Sequence, residues 1–356
     1  MFVYNELMKK QFPGEVVFLC TKRISDSFKR AVSEPVYVIE AGRIIDEVKA
    51  AYHVMTAKTV IVDNYYGFLA VADFRKNVEC IQIWHATGAV KNFGLLDTSV
   101  ESRPERAKYR FIQVYRKFHK IVVGSDAFAE IFKKAFRAKD GQFLKTGYPR
   151  TDVFFSRDFI KERKEKFFKK YPMYKGKKII LYAPTYRPEP EQNRFVLDIE
   201  KMYEQLGGDY ALFIRMHPAV NLPDLDHYTY KGFATDFSTG ASIQDLMLVS
   251  DYLITDYSSI PFEYVLLKKP MIFYPYDLEE YKKNPGIWDR YDRIVPAPVA
   301  YTTDEIIKFI RADEFNQEKY REFDRKWNQY NDGRSAESLA DYILERHGIK
   351  STTEEG

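Results

Sequence analysis

The side chains best suited to chemistry stand where apolar runs of the sequence end. His85 follows the run "IQIW", and His217 follows "LFIRM". Histidine titrates near neutral pH, so each ring can take a proton from an attacking hydroxyl or give one to a leaving group. A single histidine at such a place is more often structural, but two at equivalent places favour catalysis. We therefore predict that His85 and His217 are catalytic, and no metal-ligand spacing accompanies either one.

A second candidate is the stretch "SDYLITDYSSIPFEY", residues 250–264, where an apolar run meets a polar turn and the start of a helix. Free N–H groups at a helix start attract anions, and serine hydroxyls there can add donors to a phosphate. The alternative is simple N-capping by Asp256 or Ser258. We predict a diphosphate-binding set at this and neighbouring strand ends: Pro184, Thr185, Arg187, Arg215, Asp256, Ser258 and Ser259.

Composition and motifs exclude several functional classes. The 356 residues are 45% hydrophobic and 30% charged with a net charge of +4, which is ordinary for a globular protein. No apolar run approaches the ~18 residues of a membrane-spanning helix, and the N-terminus lacks the core of a signal peptide. The absence of a glycine-rich P-loop and of GxGxxG disfavours an ATPase or a dinucleotide dehydrogenase. We expect no cofactor.

The elements that must position these residues form two series. Short runs rich in Val and Ile, such as "TVIVDN" and "KIVVGS", alternate with longer amphipathic segments, and the pattern restarts after residue 175 with "KKIILYAPT". Continuous apolar strands separated by helices are typical of parallel sheets covered on both faces. We predict an α/β protein with two doubly wound domains facing a cleft, over residues 1–153 and 154–334. A C-terminal helix with a polar tail, 335–356, is expected to cross back onto the first domain.

The segment "RPERAKYRFIQVYRKFHK", residues 103–120, carries seven Lys or Arg and one Glu. Helical spacing places basic residues on one stripe and apolar residues on a neighbouring stripe. Such a helix can lie on an anionic membrane, although a helix that packs on the core with a solvated basic side is the more ordinary outcome. No nucleic-acid-binding motif accompanies the charge, so we expect no nucleic acid partner. The residues predicted to meet lipid are Arg106, Arg110, Phe111, Tyr115, Lys117 and Phe118.

Taken in order, five segments resemble a known family. The segments "QIWHATGAVKNFG", "ILYAPTYR", "RMHP", "LITDYSSIPFEY" and "IFYPYDLEEY" are similar to those of the CDP-glycerol glycerophosphotransferases of Gram-positive teichoic acid synthesis, and within them to the members that prime the wall polymer. The likeness runs from about residue 59 to about residue 339. It implies a GT-B fold, CDP-glycerol as donor, an undecaprenyl-linked disaccharide as acceptor, and a peripheral position on the cytoplasmic face of the membrane.

With these substrates implied by the resemblance, the residues themselves suggest a mechanism. His85 is expected to be the general base, and His217 to stabilise or protonate the diphosphate as charge moves to CMP. Asp256 would orient His217 or bind a ribose or glycerol hydroxyl. The acceptor side is expected to include Asn64, Trp84, Gly88 and Lys91.

Three alternatives stay open at the level of sequence. A nucleotide-sugar glycosyltransferase or a sugar 2-epimerase can have the same architecture. Within the family, the chain could be a polymerase that adds many units or an enzyme that uses CDP-ribitol. A membrane-associated binding module that has lost catalysis is disfavoured by the intact His85 and His217. A homo-oligomer also stays open.

Overall fold

The computed structural model describes residues 1–39, 44–187, 195–217 and 232–349. Within these ranges every named strand pairs in parallel, in three sheets. The strands are β1 (Phe18–Cys20), β2 (Val36–Val38), β3 (Thr59–Val62), β4 (Glu79–Gln82), β5 (Lys120–Val122), β6 (Phe143–Leu144), β7 (Lys178–Tyr182), β8 (Tyr210–Ile214), β9 (Ala234–Asp236), β10 (Tyr252–Thr255) and β11 (Met271–Phe273).

Helices separate these strands, as parallel connections require. The helices are α1 (Phe2–Lys9), α2 (Lys22–Ala31), α3 (Ile44–Thr56), α4 (Glu105–Arg116), α5 (Asp126–Phe136), α6 (Arg157–Lys170), α7 (Ile199–Leu206), α8 (Ile243–Val249), α9 (Ile260–Tyr264), α10 (Leu278–Tyr281), α11 (Tyr291–Ile294), α12 (Thr303–Ala312), α13 (Gln317–Trp327) and α14 (Ser335–Arg346). No helix in the described ranges is both long and apolar enough to cross a bilayer.

The C-terminal half is built on a five-stranded sheet of order β11-β10-β7-β8-β9. Along β7, Ile179 and Leu181 join one hydrophobic cluster, whereas Ile180 and Tyr182 join the cluster on the opposite face. Successive side chains of a strand point to opposite faces, so a strand buried on both faces must be apolar throughout. Burial on both faces explains why the run "IILY" is apolar at every position.

The N-terminal half differs in its strand pairing. Strands β3-β4-β5-β6 form a four-stranded sheet, while β1 and β2 pair only with each other. The predicted α/β class with parallel sheets is confirmed. Sequence reasoning missed β6 and β9, because segments of two and three residues carry too little pattern.

The last helix, α14, is held against the N-terminal half by hydrogen bonds. The carboxylate of Asp152 accepts hydrogen bonds from the N–H groups of Ser335 (3.0 Å) and Ala336 (2.7 Å), which fixes the start of α14. Farther along α14, the Tyr342 hydroxyl donates to Glu79 at the start of β4 (2.9 Å). The last helix therefore lies against the N-terminal half. The predicted polar tail, over residues 350–356, lies outside the described residues.

Candidate active site

His85 lies three residues after β4 in a tightly constrained loop. The preceding Trp84 has a left-handed backbone with φ of 49°, an uncommon conformation for a residue with a side chain. Its N–H donates to the Gln82 side chain at 2.8 Å, and its indole packs edge-on against Phe132 and Phe136. The Trp84 and His85 rings are 4.2 Å apart between centroids. The buried aromatic cluster therefore holds the loop that presents His85.

The hydrogen bond of His85 decides which nitrogen can act as a base. Nδ1 lies 2.9 Å from the backbone oxygen of Asp63, which can only accept, so Nδ1 carries the proton. The lone pair of the neutral ring is then on Nε2, and the side chain is exposed to solvent. Although the residue is exposed at its surface, the surrounding protein displaces part of the water around the ring and lowers the pKa of His85. Arg150 and Lys91 lower it further, against the opposing effect of Asp63. The ring is thus neutral at neutral pH.

His217 lies three residues after β8, in the C-terminal half, with its ring 5.1 Å from that of Tyr186. Loss of solvation lowers the pKa of His217, and the positive charges of Lys91, Arg23 and Arg215 lower it further. Lys91 belongs to the N-terminal half and acts on both histidines. One positive charge of the N-terminal half, that of Lys91, therefore lowers the pKa of both predicted catalytic residues.

Arg187 has a different environment from the predicted one. It is 1% exposed. Its Nε and Nη2 bind both oxygens of Asp277, at 2.7 and 2.9 Å, and Nη2 also binds Asp256 at 2.9 Å. Its guanidinium is enclosed by tyrosine rings, at 5.0 Å from Tyr257 and 5.0 Å from Tyr281. This arrangement contradicts a direct diphosphate clamp, because the protein's own carboxylates occupy the donors.

Asp256 is likewise turned inward rather than toward a ligand. It is 1% exposed, and its Oδ1 accepts from the N–H groups of Thr185 (2.8 Å) and Tyr257 (2.6 Å). The predicted contact with His217 or with a sugar hydroxyl does not match these bonds. Asp256 instead ties the loop after β7, which carries Pro184 and Thr185, to the loop after β10. Pro184 and Thr185 are half-buried, and the bond from the Thr185 N–H to Asp256 fixes their backbone.

The other predicted phosphate-binding residues remain at the strand ends. Arg215 Nη1 donates to the backbone oxygens of Phe237 and Ser238, both at 2.6 Å, which closes the loop after β9. Ser258 accepts from the N–H of Ile260 at 3.2 Å. Ser259 is the N-cap residue of α9, yet its side chain makes no capping bond. The two serines are half-buried at the start of this short helix.

The predicted acceptor-side residues lie around His85. Asn64 is exposed, and its backbone oxygen accepts from Gln82 at 3.1 Å. Lys91 is exposed and pairs through its backbone with Ile287 of the other half. At Gly88 the close approach is to protein, since an added Cβ would lie 2.2 Å from the Phe262 ring. Gly88 therefore serves the contact between the halves.

The membrane prediction for residues 103–120 is wrong for the apolar side chains, which are packed inside the protein. Phe118 is fully buried and Tyr115 is 7% exposed, stacked at 4.4 Å on Phe136, so neither is available to lipid. Phe111 is half-buried against Tyr65 at 5.2 Å. The helix ends at Arg116, before the half-buried Lys117. The apolar stripe thus packs on the core, for the ordinary reason that an amphipathic helix covers its own sheet.

Of the α4 residues predicted to meet lipid, the basic ones, unlike the apolar ones, are exposed to solvent. Arg106 and Arg110 are exposed, as predicted for residues at a surface. Tyr109 between them is also exposed, at 65%.

Arg150 is a residue of the site that sequence reasoning missed. It donates from Nη1 to the backbone oxygen of His85 at 2.6 Å and forms an ion pair through Nε with Glu263 at 3.0 Å. Nothing in the local motif "GYPRTD" indicated this, because both partners are distant in sequence.

Two halves built on parallel sheets, each with a histidine three residues after one of its strands, are typical of a GT-B-like transferase. The chain belongs to the CDP-glycerol:poly(glycerophosphate) glycerophosphotransferase family, whose model matches residues 6–345. The resemblance to the CDP-glycerol glycerophosphotransferases is thereby confirmed.

Three similar proteins illustrate the relationship. A teichoic acid glycerol-phosphate primase of Bacillus subtilis is 36% identical over 96% of this chain and 87% of its own length. A teichoic acid poly(ribitol-phosphate) polymerase of Bacillus spizizenii is 33% identical over 96% of this chain, which spans 53% of that polymerase. The structure of the wall teichoic acid polymerase TagF superposes with a TM-score of 0.81 and 25% identity, over 98% of this chain and 86% of TagF.

Proposed function

We propose that the chain transfers one sn-glycerol 3-phosphate from CDP-glycerol to the N-acetylmannosamine hydroxyl of an undecaprenyl-diphosphate-linked disaccharide with N-acetylglucosamine. CMP is released, and the product primes wall teichoic acid. The observation that carries this proposal is the similarity to a glycerol-phosphate primase along almost the whole chain. His85 supplies the base that the reaction needs, and His217 supplies a ring N–H donor for the leaving phosphate.

In the proposed reaction, the acceptor oxygen attacks the phosphorus that bears the glycerol. The bond from that phosphorus to the bridging diphosphate oxygen breaks, and CMP keeps the electron pair. Nε2 of His85 takes the proton of the acceptor hydroxyl. Phosphoryl transfer otherwise depends on positioning and on charge stabilisation. His217 and Arg215 stabilise the charge on the leaving phosphate, and the hydroxyls of Ser258 and Ser259 donate to it.

Arg187 and Asp256 contribute to this reaction indirectly. Their buried ion pair fixes the loop of Pro184 and Thr185 and the turn before Ser258, both of which border the donor. Asn64, Trp84 and Lys91 stand beside His85 and are proposed to meet the acceptor. The exposed Arg106 and Arg110 are proposed to hold the enzyme on the anionic cytoplasmic face of the membrane.

The test is release of CMP from CDP-glycerol with a soluble-tailed analogue of the lipid-linked disaccharide, with mass spectrometry of the product. One added glycerol phosphate, together with a loss of about 10²- to 10⁴-fold in rate for His85→Ala, would support the proposal. His53→Ala is a matched control, because that ring stacks on Tyr37 outside the cleft. A loss below tenfold in folded His85→Ala would refute the base.

A polymerase of the same family is the second candidate, favoured by the similarity to the poly(ribitol-phosphate) polymerase. In the same assay a ladder of additions would identify a polymerase. Turnover of CDP-ribitol in place of CDP-glycerol would identify a ribitol-phosphate transferase. Turnover of a UDP-sugar with no CMP would mean that the chain is a glycosyltransferase.

A further inference from the structure

The backbone of His85 is held from a distance by one side chain. Arg150 lies in the turn that joins the two halves, and its Nη1 donates to the His85 backbone oxygen at 2.6 Å. The ring of the same residue is held at Nδ1 by the Asp63 carbonyl at 2.9 Å. His85 is thus fixed at its main chain and at its side chain, and the lone pair of its neutral ring is on Nε2.

Arg150 is in turn held by the C-terminal half. Its Nε lies 3.0 Å from Oε1 of Glu263, which is 5% exposed in its side chain. Its backbone oxygen accepts from the Gln244 side chain of α8 at 3.3 Å. A carboxylate buried to this extent keeps its charge only beside a partner, so the ion pair holds the guanidinium next to Glu263. Burial raises the pKa of Glu263, and Arg150 opposes that rise.

Glu263 belongs to α9, the helix whose first residues follow Ser258 and Ser259. Its neighbour Phe262 packs against Gly88, three residues after His85, so closely that no side chain fits between them. Two adjacent residues of α9 therefore contact the His85 loop, one through van der Waals packing and one through Arg150. The turn proposed to bind the donor and the proposed base are joined through this one helix.

We propose that Arg150 is a positioning residue, which, anchored by Glu263, fixes the main chain of His85 relative to the turn of Ser258 and Ser259 that is proposed to contact the donor. The inference rests on the proposed function, since it takes His85 to be the base. A misplacement of the base of about 1 Å can cost about 10²-fold in rate. Loss of Arg150 should therefore reduce kcat while the donor, which Arg150 does not touch, binds as before.

The positive charge of Arg150 also affects the pKa of His85. The charged groups that act on the His85 ring are Asp63, which raises its pKa, and Arg150 and Lys91, which lower it. Arg150→Gln removes one of the two lowering charges, so the pKa of His85 rises. The base is active when neutral, so the acid limb of the pH–rate profile should move to higher pH. Arg150→Lys keeps the charge and should leave that limb nearly in place.

The experiment compares Arg150→Gln, Arg150→Lys and Glu263→Gln by kcat, KM for CDP-glycerol, pH–rate profile and Tm. Arg163→Gln is the matched control, because Arg163 makes a half-buried pair with Asp245 at 2.6 Å on α6 and α8, away from His85. We expect Arg150→Gln to lose 10- to 100-fold in kcat with KM changed less than about threefold. Arg150→Lys should recover part of this rate, and Glu263→Gln should show a smaller loss of kcat.

The inference is overturned if Arg150→Gln keeps its kcat and acid limb, or if Arg163→Gln lowers kcat as much for an equal loss of Tm. If Arg150→Gln does not fold, Arg150→Lys and Glu263→Gln decide by the same criteria. His85→Ala is measured alongside. If that variant keeps full activity, the proposed base is wrong; if it is inactive while Arg150→Gln is unimpaired, only the positioning role is wrong.

Discussion

Replacement of Arg187 by methionine tests the central correction to the site. In the structure its guanidinium lies between Asp256 and Asp277 with contacts of 2.7 to 2.9 Å, and both Arg187 and Asp256 are 1% exposed. Methionine fills much of the same volume but leaves the carboxylates without a counter-charge. Removal of one partner of a buried pair costs about 3–5 kcal/mol. At about 2–4 °C per kcal/mol for a unit of this size, Tm should fall by roughly 6–20 °C.

The assay is urea denaturation followed by tryptophan fluorescence, together with Tm and KM for CDP-glycerol. Arg290→Met is the control, because its ion pair with Asp292 is similarly short at 2.7 Å but 65% and 62% exposed, so no measurable change is expected. Adding Asp277→Asn to Arg187→Met should recover part of the stability. A direct phosphate clamp predicts the reverse: stability unchanged from the wild type with KM raised at least tenfold. That result would refute our interpretation of the Arg187 environment.

Three further outcomes are expected. Because the pKa of His85 is lowered below the ordinary value of 6.5, the wild-type rate should persist to below that pH and be lost only as the ring becomes protonated, which a pH–rate profile would reveal; an acid limb above 6.5 would contradict this. Gly88→Ala should lose about 1–3 kcal/mol in urea denaturation from overpacking against Phe262, with partial recovery on adding Phe262→Leu; unchanged stability would contradict the 2.2 Å approach. Replacing Arg106 and Arg110 by glutamate should weaken binding to vesicles rich in anionic lipid by at least about 2 kcal/mol, or about 30-fold, in a co-sedimentation assay, and unchanged binding would remove α4 from the membrane proposal.

The architecture could be predicted from the sequence because its signals are local. A run such as "IILY" is apolar at every position only when both faces of its strand are buried, and the alternation of such runs with helices implies parallel pairing. The same reasoning placed His85, His217 and Asp256 at strand ends. Pairing between strands was less accessible, since the division of the N-terminal half into β1-β2 and β3-β6 depends on contacts that no single segment encodes.

The α4 segment shows the limit of periodicity. Its spacing separates a basic stripe from an apolar one, but the same pattern suits a helix on lipid and a helix on a protein core. The tertiary structure decided between these, because Tyr115 and Phe118 fill space beside Phe136. Of the residues predicted to meet lipid, Arg106 and Arg110 are the exposed ones.

By itself the sequence determined which residues stand at the ends of strands, since strand and turn preferences act between neighbours. Only the tertiary structure decided what each of these residues touches. Arg187 and Arg215 look alike in sequence, each following an apolar strand, yet the fold pairs Arg187 with carboxylates 69 and 90 residues away. Arg150 reaches His85 across 65 residues. Charges pair according to distance and burial in the folded chain, and neither quantity is encoded in the spacing of residues along it.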